Sequence, residues 1–152
     1  WGMSKGEDYL VAIFRKEKIA YEREKTFSDL LGKHGTPLRF DFYLPKFGIN
    51  IEYDGEGHFQ QVSKFGGRSG YMAAAERDRR KNSYCLAHHI SLYRIPYWEL
   101  HNIHSLSDIL TPKFLVTSKF HNDYLKPPWV FFRHTFLFWN FSYKKREVCR
   151  CF

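Results

Sequence analysis

Residues 38–60 read LRFDFYLPKFGINIEYDGEGHFQ. Leu38, Phe40, Phe42 and Leu44 alternate with Arg39, Asp41 and Tyr43. Beyond Pro45-Lys46-Phe47-Gly48, Ile49, Ile51 and Tyr53 alternate with Asn50, Glu52 and Asp54. Period-two patterning predicts two short strands joined by a tight turn, each with one apolar face. Side chains two apart share a face, so Asp41, Glu52 and Asp54 gather on the polar side. Three carboxylates on adjacent strands repel one another unless a cation sits among them. A hard divalent ion with oxygen ligands suits such a group, and Mg²⁺ (or Mn²⁺) is the expected choice where the substrate carries phosphate. Taken alone, the acids also read as a solvated strand face beside Arg39. Gly55 and His58 favour the first reading, because they place a sharp backbone turn and a titratable imidazole directly after the carboxylates.

The flanking segments predict the elements that would surround this hairpin. Ser4-Lys5-Gly6-Glu7 has the S-x-x-E form of a capping box, and Leu10, Ile13 and Phe14 give a helix running to about residue 18 its buried stripe. Glu7 either closes the box or faces the carboxylates as a further catalytic acid. Residues 19–27 alternate as a strand, and 28–37, with Gly32, Gly35 and Pro37, read as a loop. Residues 61–70, QVSKFGGRSG, read as a mobile glycine-rich loop whose Lys64 and Arg68 are placed to touch a phosphate backbone. A helix is expected over 71–89. Its Arg77, Arg79, Arg80 and Lys81 form a solvated face on one reading, and on the other Arg77, Arg80 and Lys81 meet phosphate. Residues 90–97 read as a strand ending at the sheet edge at Pro96, and 105–110 as a short helix. The predicted order over 4–97 is α-β-β-β-α-β, a mixed α/β class.

The chain has 152 residues and a net charge of +8, of which eight Lys and Arg against two acids from residue 113 onward contribute +6. This length bounds a single core, expected over 1–112, with 113–152 as an extension. A basic balance points to polyanionic partners without choosing among them. No apolar run reaches membrane-spanning length, the opening WGMSKGED holds no signal-peptide core, and an intracellular location is expected. Cys85, Cys149 and Cys151, with His88, His89, His101 and His104, lack paired zinc-ligand spacing. The aromatic stretch over 129–143 and the cations after it read as a packing or association surface, hence a possible homo-oligomer, or as a base-stacking one.

Five segments together carry a resemblance: GED at 6–8, RFDFYLP at 39–45, IEYDGEGHF at 51–59, ERDRRK at 76–81 and YRIPYW at 93–98. Over about 4–99 the chain resembles PD-(D/E)XK nucleases, whose core has the αβββαβ order. It is closest to the branch of very-short-patch mismatch-repair endonucleases and phage and intron-encoded homing endonucleases. The resemblance implies a restriction-endonuclease-like fold and an Mg²⁺-dependent endodeoxyribonuclease acting on DNA, double-stranded by expectation, in the cytoplasm or in the host cell of a phage. Asp41 would be the second-strand metal ligand, Glu52 the third-strand acid and metal ligand, and Glu7 the first-helix acid. Asp54 stands where the motif has lysine. His58 would then help activate water, as histidine does in the mismatch-repair branch, or Lys64 or Lys81 would supply a migrated lysine. A non-catalytic nucleic-acid-binding module, an RNA nuclease and an assembly protein driven by the aromatic tail are the other classes left open.

Overall fold

The computed structural model describes residues 4–125; the aromatic stretch, the basic run after it, Cys149 and Cys151 lie outside the described residues. Helix α1 (Lys5–Lys16) begins at a complete capping box, with Glu7 N–H donating to Ser4 Oγ and Ser4 N–H to Glu7 Oε1. It lays Leu10, Val11, Ile13 and Phe14 on the sheet, where Phe14 meets the Phe42 ring edge-on at 5.3 Å. The sheet has the order β1-β2-β3-β4 (Glu22–Leu31, Pro37–Leu44, Ile49–Asp54, Ser91–Pro96). The first two neighbouring pairs are antiparallel, and β3 and β4 are parallel across the crossover helix α2 (Gly67–Ala87). This is a mixed four-stranded sheet flanked by helices.

The hairpin forms, with Phe42 opposite Ile51 and Leu44 opposite Ile49, but β2 does not keep the single apolar face that its alternation predicts. Its apolar side chains divide between two clusters. Phe42, Leu44 and Ile51 pack under α1, whereas Leu38 and Phe40 join Leu30, Cys85 and Leu92. The two strands part beyond the Phe42–Ile51 pair.

Three expectations are corrected. The first strand starts at Glu22 and runs on to Leu31, so the expected loop over 28–37 is a short turn between paired strands. Leu30 is buried and Tyr84 Oη donates to Asp29 Oδ1 at 2.8 Å, which anchors a stretch of weak strand formers by tertiary contact. The glycine-rich segment is built rather than loose: residues 63–65 form a 3₁₀ turn and α2 starts at Gly67. Gly66 adopts φ +86°, and a β-carbon on Gly70 would overlap the Phe65 carbonyl. Gly70→Ala is therefore expected to cost about 1–3 kcal/mol by forcing this turn apart, measurable as a lower urea midpoint. Finally, the boundary at 112 does not end the core. Phe114 and Val116 are buried, and Leu115 makes an isolated bridge to Tyr93. Two short helices complete the described chain: α3 (Leu106–Ile109) and α4 (His121–Tyr124), the latter packed on α2.

No helix among the described residues is long and apolar enough to cross a membrane.

Candidate active site

Where β2 and β3 separate, two carboxylates take over the backbone pairing. Asp41 N–H donates to Glu52 Oε1 at 3.1 Å, and Tyr53 N–H donates to Asp41 Oδ2 at 2.8 Å. The ladder has lost its own partners there, and the side chains satisfy what the backbone would otherwise leave open. Asp41 Oδ1 makes no hydrogen bond among the described residues. From α2, Lys81 Nζ donates to both Glu52 oxygens, at 3.0 and 2.8 Å.

A second group lies on the other side of Arg94. This arginine sits on β4 directly opposite Glu52 in the parallel register and is 0% exposed. Arg94 grips Asp54 with two bonds, Nε to Oδ2 at 2.8 Å and Nη2 to Oδ1 at 2.5 Å. The same Nη2 donates to Asp78 Oδ1 at 2.7 Å and stands 3.7 Å from Glu52 Oε2, while Nη1 donates to Asn82 Oδ1 at 3.1 Å. Planar guanidinium geometry is what allows one side chain to serve so many acceptors. Asn122 of α4 adds Nδ2 bonds to Asp54 Oδ2 (3.0 Å) and Asp78 Oδ2 (3.4 Å). His58 Nδ1 lies 2.8 Å from Asp78 Oδ2 and 3.5 Å from Asp54 Oδ1.

The titration behaviour follows from this arrangement. Burial, and next the neighbouring Glu52, hold the Asp41 carboxyl well above the usual carboxylate range. Burial opposes ionisation of Asp78 as well, but Arg94 and then His58 outweigh it and keep the group well below that range. Asp78 is therefore a carboxylate and can only accept, so His58 carries its proton on Nδ1 and titrates at Nε2. Burial lowers the His58 value, yet the Asp78 hydrogen bond and the Asp54 charge raise it overall. Lys81 behaves alike: burial is overcome by Glu52 and Asp41, and the ammonium is held above its ordinary value.

The sequence-derived residues thus fall into distinct places. Asp41 and Glu52 come together as expected. Asp54, expected among the catalytic carboxylates, is corrected to a fully buried anchor for Arg94. Lys81, expected either on the phosphate-contacting face or as a migrated lysine of the site, leaves that face: it turns inward with its side chain 12% exposed and pairs with Glu52. Glu7 closes the capping box and also pairs with Arg23 at 2.9 Å, while its charge still reaches Asp41. Arg77, Arg80, Lys64 and Arg68 are exposed; Arg80 pairs with Glu76, and Lys64 lies over the Phe65 ring. Asp78, Asn82, Arg94 and Asn122 were not singled out from sequence. A lone arginine within the otherwise apolar strand ISLYRIPY was the available signal for Arg94.

Four carboxylates, Asp41, Glu52, Asp54 and Asp78, face two permanent cations, Lys81 and Arg94. The group holds a surplus of two negative charges while His58 is neutral. Asp54, His58 and Asp78 bring one ligand atom each within 4.8 Å of one another, a spacing that suits a metal ion. Arg94 and Asn122 already donate to those carboxylates, however, and a second cation beside the guanidinium is disfavoured. Glu52 is likewise engaged, with the Lys81 ammonium on both of its oxygens. Asp41 keeps one oxygen without a hydrogen bond among the described residues, and burial more than any neighbour raises its titration.

No family model, curated protein or solved structure matches the chain.

Proposed function

We propose that the protein is a metal-dependent endonuclease that hydrolyses phosphodiester bonds in DNA, on a restriction-endonuclease-like core. The observation that carries this reading is the Asp41–Glu52 pair at the parting of β2 and β3, with Lys81 held across it. A phosphodiester resists attack because it is itself an anion. A divalent ion held by Asp41 and Glu52 would supply the charge neutralisation that lowers this barrier. Lys81, kept as an ammonium, orients Glu52 and presents positive charge to the phosphoryl oxygens. His58 takes a proton at Nε2, since Asp78 fixes the ring through Nδ1.

His58→Ala is then expected to slow cleavage by about 10²–10⁴-fold. In the parent, cleavage rises with pH through a midpoint above the ordinary histidine value near 6.5. Asp78→Asn removes the Asp78 charge that helps raise this value and leaves that of Asp54, so the midpoint moves to lower pH. A pH–rate profile of the parent and the Asp78 variant checks both the direction and the assignment. An unmoved midpoint rejects His58 as the titrating group.

The test of the reading itself is cleavage of plasmid DNA with Mg²⁺ or Mn²⁺ and its suppression by EDTA. A binding module on the same core is the competing reading, favoured by the closure of Lys81 on both Glu52 oxygens. It predicts a salt-sensitive gel shift without cleavage.

A further inference from the structure

A cleft of about 700 Å³ lies between the β1–β2 turn and the middle of α2, outside the carboxylate group. Lys33, His34 and Arg39 line it from the hairpin side, and Arg77, Arg80 and Lys81 from the helix. Only Glu24 and Glu76 oppose them, and each already pairs with an arginine, Glu24 with Arg39 (3.1 Å) and Glu76 with Arg80 (2.8 Å). Lys33 and Arg77 have no carboxylate partner among the described residues. With Lys81 paired to Glu52, the four other permanent cations against two acids leave a surplus of two positive charges in one concave surface. Such a surface concentrates polyanions and is poorly suited to cations or apolar ligands.

Two residues connect this cleft to the chemistry. Lys81 lines its wall while its ammonium rests on Glu52. Arg77 lines it and also borders the hollow of about 280 Å³ that contains His58. A polyanion lying along the cleft would therefore pass the Asp41–Glu52 pair at one cation and His58 at the other.

We propose that this cleft is the track for the DNA sugar–phosphate backbone, with Lys33 on the β1–β2 turn and Arg77 on α2 as its two free phosphate contacts. The inference rests on the endonuclease reading and adds to it the surface that delivers the strand. It places a binding residue, Lys33, on a turn that carries none of the catalytic groups.

The test compares two doubly neutralised proteins of equal charge. K33Q/R77Q removes the free cations of the cleft. K16Q/K46Q removes two lysines that do not line it; Lys46 lies in the turn beyond Leu44, the far end of β2, which is roughly 17 Å along the strand from Arg39 at 3.3–3.4 Å per residue. Affinity for a short fluorescent DNA duplex is measured in EDTA, which blocks cleavage, over a series of salt concentrations. Each lost phosphate contact lowers the slope of log affinity against log salt by about 0.9. K33Q/R77Q is expected to flatten the slope by about 2 and to weaken binding roughly tenfold. K16Q/K46Q is expected to leave the slope unchanged. Equal losses in the two proteins would overturn the cleft while the endonuclease reading stands. An absence of salt-dependent duplex binding by the parent would overturn both, and preference for RNA of the same length would overturn DNA as the occupant.

Discussion

Arg94→Ala is expected to remove about 3–5 kcal/mol of stability at neutral pH, the cost of stripping a buried ion pair of one partner. The loss is large because the guanidinium, 0% exposed, is shared by Asp54 and Asp78 and approaches Glu52. Alanine would leave those carboxylates buried with Lys81 and His58 as their remaining cationic partners. A domain's whole stability is of order 5–15 kcal/mol, so the variant should lie near the edge of folding. The pH dependence gives a second check. Asp78 titrates below its unfolded value, so its pairing contributes stability above about pH 4 and loses it as pH falls through the folded value. The Arg94→Ala deficit should accordingly be greatest at neutral pH and shrink in acid. Urea denaturation across that range measures it. A deficit no larger than that of Arg15→Ala, an exposed arginine on α1, would show that the buried network is not what holds β3, β4 and α2 together.

Asp41→Asn is expected to reduce cleavage by about a thousandfold or more, the rate equivalent of several kcal/mol of transition-state charge stabilisation. Its effect on stability should have the opposite sign. Asp41 titrates above its unfolded value. Relative to the unfolded chain, its proton stabilises the fold at low pH, and that contribution is lost as pH rises through the folded value. Asparagine retains an acceptor for the Tyr53 N–H and carries no charge. In EDTA near neutrality the variant should therefore melt higher than the parent. Added Mg²⁺ should raise the parent's melting temperature, because a ligand binding only the folded state stabilises it, and should leave the variant nearly unmoved. Thermal melts with and without Mg²⁺ separate these outcomes.

The hairpin and its Asp41–Glu52 acids were legible because period-two alternation reports strands directly, and α1 because its capping box and apolar spacing mark a helix. The inner face of α2 was not. Its buried residues are Ala74, Asp78, Asn82 and Cys85, a helical stripe that is half polar, so apolar periodicity passes over it. ERDRRK consequently reads as a solvated charge run, although Asp78 and Lys81 are the very side chains that face the sheet. Alternation likewise placed Glu52 and Asp54 on one face correctly. It carried no information on what covers that face, and the cover decides their chemistry. Arg94 neutralises Asp54, whereas burial raises the titration of Asp41. Asn122 reaches Asp54 from 68 residues away, a contact that no local pattern encodes.

The most direct test of a metal-assisted phosphodiesterase centred on Asp41 and Glu52 is cleavage of supercoiled plasmid by the parent and by Asp41→Asn across an Mg²⁺ titration. The predicted result is nicking or linearisation that rises with Mg²⁺ in the parent, vanishes in EDTA and is absent from the variant at every concentration. Cleavage that persists in EDTA, or that Asp41→Asn performs as well as the parent, would contradict it.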